Sequence, residues 1–179
     1  MQHITTYESP IGKLFLAEKA GALTGLWIEG QKYFMGSLKE ETKEQGDSPV
    51  LGKAKKWLDR YFAGEKPSVG EWELAPAGSG FYREVWEILC GIPYGEVTTY
   101  KAIAQKAAAR RGLLHMSAQA VGQAVGHNPI SIIIPCHRVV GADKSLTGYA
   151  GGIEKKIYLL TLEGVDVEGM AVPKKGTAL

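Results

Sequence analysis

Apolar and polar residues alternate through the first part of the chain, as they do in strands that bury one face. The alternation predicts strands over residues 4–7, 14–17 and 23–28, with a turn at Gly21 before the third. Over residues 50–62 the apolar side chains instead recur at helical spacing, and Gly64 follows as a helix stop. A small antiparallel sheet with one helix is therefore expected here.

The segment at residues 75–80 is small and rich in helix breakers, which makes it the best candidate for a domain boundary. We therefore expect an N-terminal domain over residues 1–78 and a second domain over residues 79–179. Helical spacing returns at residues 81–90, with Cys90 on the inner face. The predicted fold class is mixed α+β, in which the second domain is mostly helical and contains a helix-turn-helix.

The helix-turn-helix is expected between residues 100 and 126. Its first helix covers residues 100–111 behind a cap at Thr98 or Thr99, and its second covers residues 118–126 behind Ser117. The second helix consists of small residues and two glutamines. Small residues let a helix approach a narrow minor groove closely, but they equally suit tight helix packing in a core. The pattern alone leaves both interpretations open.

Charge is distributed unevenly along the chain. Residues 1–79 carry 10 basic and 11 acidic side chains, whereas residues 100–156 carry eight basic and two acidic ones, a net of +6. This favours a polyanionic partner for the second region, with a solvated basic face as the alternative.

The two cysteines are too few for a disulfide framework or a four-ligand zinc site, so we expect no metal and no cofactor. With neither an apolar span nor a leader, a cytoplasmic protein without membrane association is expected.

The segment Pro-Cys-His-Arg-Val at residues 135–139 carries the most chemistry, and three isoleucines at 132–134 precede it. We expect the isoleucines to form a buried strand that ends at Pro135, because proline has no N–H for a sheet ladder. Cys136 would then point into a cleft. A buried structural cysteine is the alternative.

These residues resemble the O6-alkylguanine-DNA alkyltransferase family over about the last hundred positions. The first domain resembles the family's ribonuclease-H-like domain only in the order of its elements. The resemblance implies direct-reversal repair, in which a methyl group passes irreversibly from O6-methylguanine in double-stranded DNA to Cys136, once per protein molecule. O4-methylthymine is a second candidate substrate. The motifs that carry the resemblance are Gly126-His127-Asn128-Pro129, residues 132–140, Gly148-Tyr149-Ala150-Gly151-Gly152 and Leu162-Glu163-Gly164.

The resemblance also implies a role for each matching residue. Cys136 is the nucleophile and alkyl acceptor, His137 is its base through a water, and Glu163 orients His137. Asn128 braces the active-site turn, and Tyr100 crowds the DNA backbone and donates a proton to the departing base. Four residues are assigned to the base pocket: Tyr149, Val139, Gly151 and Gly152. Seven are assigned to DNA contact: Ala118, Gln119, Ala120, Gly122, Arg110, Arg111 and Arg138, the last with loop bracing as its alternative.

The chain departs from the family at Gln119, where relatives often have an arginine that enters the duplex. Glutamine lacks the charge and the guanidinium plane, so weaker and less salt-dependent DNA binding is expected. Arg110 and Arg111 are candidates to supply phosphate contacts instead. A monomer that approaches the minor groove is expected. The alternative function is a non-catalytic sensor of alkylated DNA, but sensors of that kind lack the cysteine found here at position 136.

Overall fold

A computed structural model describes residues 1–38, 42–44 and 48–172, and its elements fall into two units. The first unit contains Met1–Gly78 and, in addition, Pro129–Ile133. The second contains Ser79–Asn128 and the described residues from Ile134 onward. Within the described residues, no helix combines the length and the apolar character that crossing a bilayer requires.

The first unit is a four-stranded sheet covered by one helix. Its elements are β1 (Gln2–Ser9), β2 (Gly12–Lys19), β3 (Ala22–Ile28), β4 (Thr42–Glu44) and α1 (Pro49–Phe62). The sheet order is β3-β2-β1-β4, with β4 parallel to β1 and the other pairs antiparallel. Helix α1 buries one face, on which Trp57 and Tyr61 stack with their ring centroids 5.5 Å apart. The three predicted strands and the helix are present, while the short strand β4 gave no signal in the sequence.

The three isoleucines do not form a strand, so that prediction is wrong. Only Ile130 forms a bridge, with Leu26 of β3, and a turn follows in which Ile132 has a φ of 70°. The Ile133 N–H donates locally to the Ser131 carbonyl at 2.8 Å, and Pro129 has no N–H to offer a ladder. A buried apolar run of this length does not distinguish a strand from a packed turn. Cys136 instead begins a short 3-10 helix, Cys136–Arg138.

The second unit is mostly helical. Its elements are α2 (Gly80–Cys90), β5 (Thr98–Thr99), α3 (Tyr100–Arg110), α4 (Ala118–Gly126), β6 (Val139–Val140) and α5 (Ile153–Leu162). The hydroxyls of Thr99 and Ser117 accept the N–H groups of Ala102 at 3.0 Å and Ala120 at 3.3 Å, so both predicted helix caps are present. The Trp86 Nε1–H of α2 donates to the Ala124 carbonyl of α4 at 2.8 Å, inside the core these helices share.

Candidate active site

Cys136 lies at the first position of the 3-10 helix and is only 5% exposed. The turn before it is fixed at the Ile134 carbonyl, which accepts the Cys136 N–H at 2.8 Å and the Asn128 Nδ2–H at 2.9 Å. Asn128 is itself buried, two residues after the end of α4. The structure thus places the Asn128 amide at the turn around Pro135, where it hydrogen-bonds the Ile134 carbonyl and interacts with the Cys136 thiol.

His137 and Glu163 form a fully buried pair, with 2.5 Å between His137 Nε2 and Glu163 Oε2. Burial lowers the pKa of His137 even though Glu163 favours the charged ring, so the imidazole is neutral at pH 7. A neutral ring facing a carboxylate carries its proton on Nε2. His137 Nδ1 therefore has a lone pair, and no hydrogen-bond partner for it exists among the described residues. This tautomer is the one a base needs.

Glu163 caps the C-terminus of α5 and is held from several directions. Arg138 donates from Nε to Oε1 at 2.7 Å and from Nη2 to Oε2 at 3.2 Å, and the Gly95 N–H reaches Oε1 at 3.2 Å. Burial raises the pKa of Glu163, but the hydrogen bonds from His137 and Arg138 and the charge of Arg138 outweigh this and lower it to about 2. Gly95 has a φ of 80°, and a Cβ there would lie 3.0 Å from the Glu163 carbonyl, which explains the glycine.

Arg138 is buried, and its guanidinium is occupied inside the site. Besides Glu163, it donates from Nη1 to the Ile92 carbonyl at 2.7 Å and lies 5.7 Å from the centre of the Tyr94 ring. A guanidinium enclosed in this way is not presented at the surface, where a phosphate would bind. Loop bracing, the other role considered for it, describes its contacts.

Lys156 is a further buried charge of this network that the sequence pattern did not predict. It is completely buried, and its Nζ donates to the Val139 carbonyl at 2.5 Å and to the Thr147 carbonyl at 2.8 Å. Burial lowers its pKa to about 8, while the charge of a Cys136 thiolate favours the ammonium form. The available signal was its helical spacing to Leu159 and Leu160, which places a lysine on the buried stripe of α5.

The Cys136 thiol has a raised pKa, because burial opposes the thiolate. The Asn128 amide, the Lys156 ammonium and the backbone N–H groups of Cys136 and His137 act in the opposite direction but do not cancel the effect. The resting side chain is therefore a thiol, and it needs a base to become a nucleophile. Cys90 is half-buried rather than enclosed in the core, and burial raises the pKa of its thiol to about 11.

Tyr100 and the residues assigned to the base pocket belong to the same unit as this network. The Tyr100 hydroxyl donates toward the carbonyls of Thr147 at 3.1 Å and Gly148 at 3.3 Å. The Tyr149 hydroxyl is buried without a hydrogen-bond partner in the described part of the chain, and burial beside Cys136 and Glu163 raises its pKa. Gly152, which Gly151 precedes, opens α5 at a φ of 97°. Val139 pairs with Thr98, and its carbonyl already accepts Lys156.

The other residues assigned to DNA contact lie in helix α4 or are the two arginines at the end of α3. Ala118 and Gln119 are exposed and Ala120 is half-buried, all in the first turn of α4. Gly122 lies on the buried side of that helix. Arg110 Nη1 lies 3.3 Å from Glu87 Oε2 and Arg111 Nε lies 2.8 Å from Glu84 Oε2. These two arginines are exposed but already paired.

Comparison with known families accounts for most of the chain. Residues 80–165 match the family described as 6-O-methylguanine DNA methyltransferase, DNA binding domain. Residues 3–75 match the family described as 6-O-methylguanine DNA methyltransferase, ribonuclease-like domain. The first match begins at the N-terminus of α2 and extends past Glu163, so it includes the buried network described above.

Individual relatives are similar over nearly their full length. The methylated-DNA–protein-cysteine methyltransferase of Mycobacterium tuberculosis is 44% identical over 163 residues, which are 91% of this chain and 93% of that protein. The Haemophilus influenzae protein of the same name is 37% identical, over 91% of this chain and 87% of its own. The crystal structure of M. tuberculosis OGT in complex with DNA superposes with a TM-score of 0.78 at 40% identity, covering 94% and 95% of the two chains.

Proposed function

Since the chain belongs to the 6-O-methylguanine DNA methyltransferase family, we propose that it repairs alkylated DNA by direct reversal, with Cys136 as the alkyl acceptor. It is a methylated-DNA–protein-cysteine methyltransferase that acts once per molecule, because the thioether it forms is stable. The observation that carries the chemistry is the buried His137 ring, bound to Glu163 through Nε2 and with no partner for its Nδ1 among the described residues. O4-methylthymine is a second candidate substrate.

The transfer needs a base, a nucleophile and a leaving group. His137 Nδ1 takes the Cys136 proton through a bridging water, and Glu163 stabilises the imidazolium that results. The thiolate sulfur then attacks the methyl carbon, so that an S–C bond forms as the C–O6 bond of the guanine breaks. The electron pair of that bond stays with the guanine, which takes up a proton, with Tyr100 as the donor at the base.

Lys156 and Asn128 support the nucleophile in this scheme. The Lys156 ammonium stabilises the Cys136 thiolate electrostatically, and both its carbonyl contacts hold it in the site. Asn128 fixes the turn that carries the sulfur. Arg138 acts on Glu163 and keeps it ionised, which in turn fixes the His137 tautomer. The acid–base chemistry is thus supplied entirely by side chains of the second unit.

The remaining residues serve substrate binding. We place residues 79–179 as the DNA-binding and alkyl-acceptor domain and residues 1–78 as the ribonuclease-like domain. Helix α4 enters the minor groove, because its first turn exposes Ala118, whose small side chain suits close approach, and Gln119, whose amide can hydrogen-bond a base. The protein acts as a monomer in this proposal. The target nucleotide is flipped out, since a stacked base is not accessible to the buried Cys136. It enters the pocket formed at Tyr149, Val139, Gly151 and Gly152.

The test is direct transfer to the protein. The protein is incubated with a duplex oligonucleotide that carries O6-methylguanine, and the peptide that contains Cys136 is weighed after digestion. We expect one added methyl group on Cys136 and none in Cys136→Ser. A protein that binds the lesion but stays unmodified would be a sensor, and a methyl group on Cys90 would move the site.

A further inference from the structure

The loop between α3 and α4 exposes two leucines. Leu114 is completely exposed, at 107% of the reference area, and Leu113 is 51% exposed. They precede Ser117, the residue that caps α4. A leucine in water contributes nothing to the packing of the folded protein, so its side chain is available for a partner. Single exposed leucines are ordinary, but two in succession beside a proposed binding helix form a patch.

A groove links this patch to α4. Its volume is about 580 Å³, and the residues that form it include Lys101 and Ala108 of α3, Leu113 and Leu114 of the loop, and Ala118 of α4. The next residue, Gln119, is exposed. The loop, the groove and the first turn of α4 therefore form one continuous surface of the second unit.

The charge of this surface favours DNA as its occupant over an apolar protein. Lys101 and His115 both line the groove. They lie in the stretch of residues 100–156 in which basic side chains outnumber acidic ones by eight to two. A polyanion whose bases have apolar faces fits a patch that combines a cation with aliphatic side chains.

We infer that Leu114 is an apolar wedge that enters the minor groove beside the base pair opened by α4. Leucine is among the side chains that proteins insert between base steps, where it replaces part of the lost stacking. The Gln119 amide can hydrogen-bond an orphaned base but offers no comparable apolar surface. Leu114 thus supplies the unstacking while Gln119 supplies the polar contact. This inference rests on the proposed function, because it takes α4 as the DNA-binding helix.

The test measures unstacking separately from chemistry. In a Cys136→Ser background, which binds without reacting, the protein is titrated against a duplex carrying 2-aminopurine next to O6-methylguanine. We expect the fluorescence of 2-aminopurine to rise with Leu114 present and to lose most of that rise with Leu114→Ala. With Cys136 intact, Leu114→Ala should slow duplex repair by about tenfold and leave methyl transfer from free O6-methylguanine base unchanged. Because Leu114 is fully exposed, its removal should not shift Tm.

Matched variants decide the interpretation. Val172→Ala, which shortens another exposed aliphatic residue (54% exposed), should have no effect on either signal. Leu114→Met should retain the wedge.

Equal behaviour of Leu114→Ala and Val172→Ala would overturn the inference. Tighter duplex binding and faster repair by Leu114→Lys would also overturn it, because they would place the loop at a phosphate. Loss of a dimer on Leu114→Ala, seen by sedimentation, would make the patch a contact between copies. Failure of the unsubstituted protein to accept methyl from the O6-methylguanine duplex would count against the proposed function, while the fluorescence still tests the wedge.

Discussion

The second unit contains two regions of opposite character. Around Cys136, long polar side chains are buried and held by several partners: Glu163 alone is held by His137, Arg138 and the Gly95 N–H. At the start of α4 and the loop before it, Leu114 and Gln119 extend into solvent. A buried charge is stable only in one geometry, so the chemistry is organised before substrate arrives. Under the proposed function, the exposed surface finds its partner only when DNA is bound.

The largest effect should come from Glu163→Gln. Glutamine neither stabilises an imidazolium nor balances the buried Arg138 charge, so methyl transfer should slow by about 100-fold or more and the free energy of unfolding should fall by about 3 kcal/mol. Transfer is followed by mass spectrometry and stability by urea unfolding. Glu154→Gln, an exposed carboxylate on the same helix, is the control. Normal transfer by Glu163→Gln would show that the buried network is structural only.

The Glu163 carboxylate should also make the stability difference between the original protein and Glu163→Gln depend on pH. The folded pKa of Glu163 is about 2, below its ordinary value of 4.5, so its stabilising contribution is complete above pH 4.5 and disappears as the pH falls through 2. That contribution is about 3 kcal/mol. Urea unfolding from pH 6 downward should therefore show the difference between the original protein and Glu163→Gln shrinking in that window. A constant difference would mean that another group holds the network.

Lys156→Met should have an intermediate effect. The substitution leaves the Val139 and Thr147 carbonyls without their buried donor, at a cost of about 2 kcal/mol, and removes the cation that favours the thiolate. The pKa of Cys136 should rise further, which the pH dependence of its alkylation by iodoacetamide measures. Lys155→Met, the adjacent and less buried lysine, should change neither quantity. An unchanged Cys136 pKa would limit Lys156 to a packing role.

The smallest effect should appear on the exposed surface. Gln119→Arg adds one cation that can release one counterion, so the slope of log K against log salt should steepen by about one. Duplex binding by the Cys136→Ser protein, measured over a series of salt concentrations, gives this slope. Gln123→Arg, one turn further along α4, is the matched comparison. If Gln119→Arg leaves both affinity and slope unchanged, the surface does not face the duplex at this position.

The sequence predicted the parts of the fold that depend on periodicity and capping. Alternation indicated β1, β2 and β3, and Thr99 and Ser117 marked the starts of two helices where the structure has them. The isoleucine run misled because an apolar stretch predicts burial and not backbone conformation. Lys156 and Arg138 could not be placed, because a charged side chain is buried only when distant elements provide its partners. Their burial also leaves fewer surface cations than the charge pattern of residues 100–156 suggested.

The first unit is not continuous in sequence. Leu26 of β3 donates its N–H to the Pro129 carbonyl at 2.8 Å and accepts the Ser131 N–H at 2.9 Å, so residues 129–133 complete a strand edge that begins a hundred positions earlier. A fragment that ends at residue 78 would leave that edge open, with bare amide and carbonyl groups ready to pair with other chains. The visible boundary at residues 75–80 is therefore a poor place to divide the polypeptide. We expect a synthetic peptide spanning residues 129–133 to bind such a fragment at the open edge of β3.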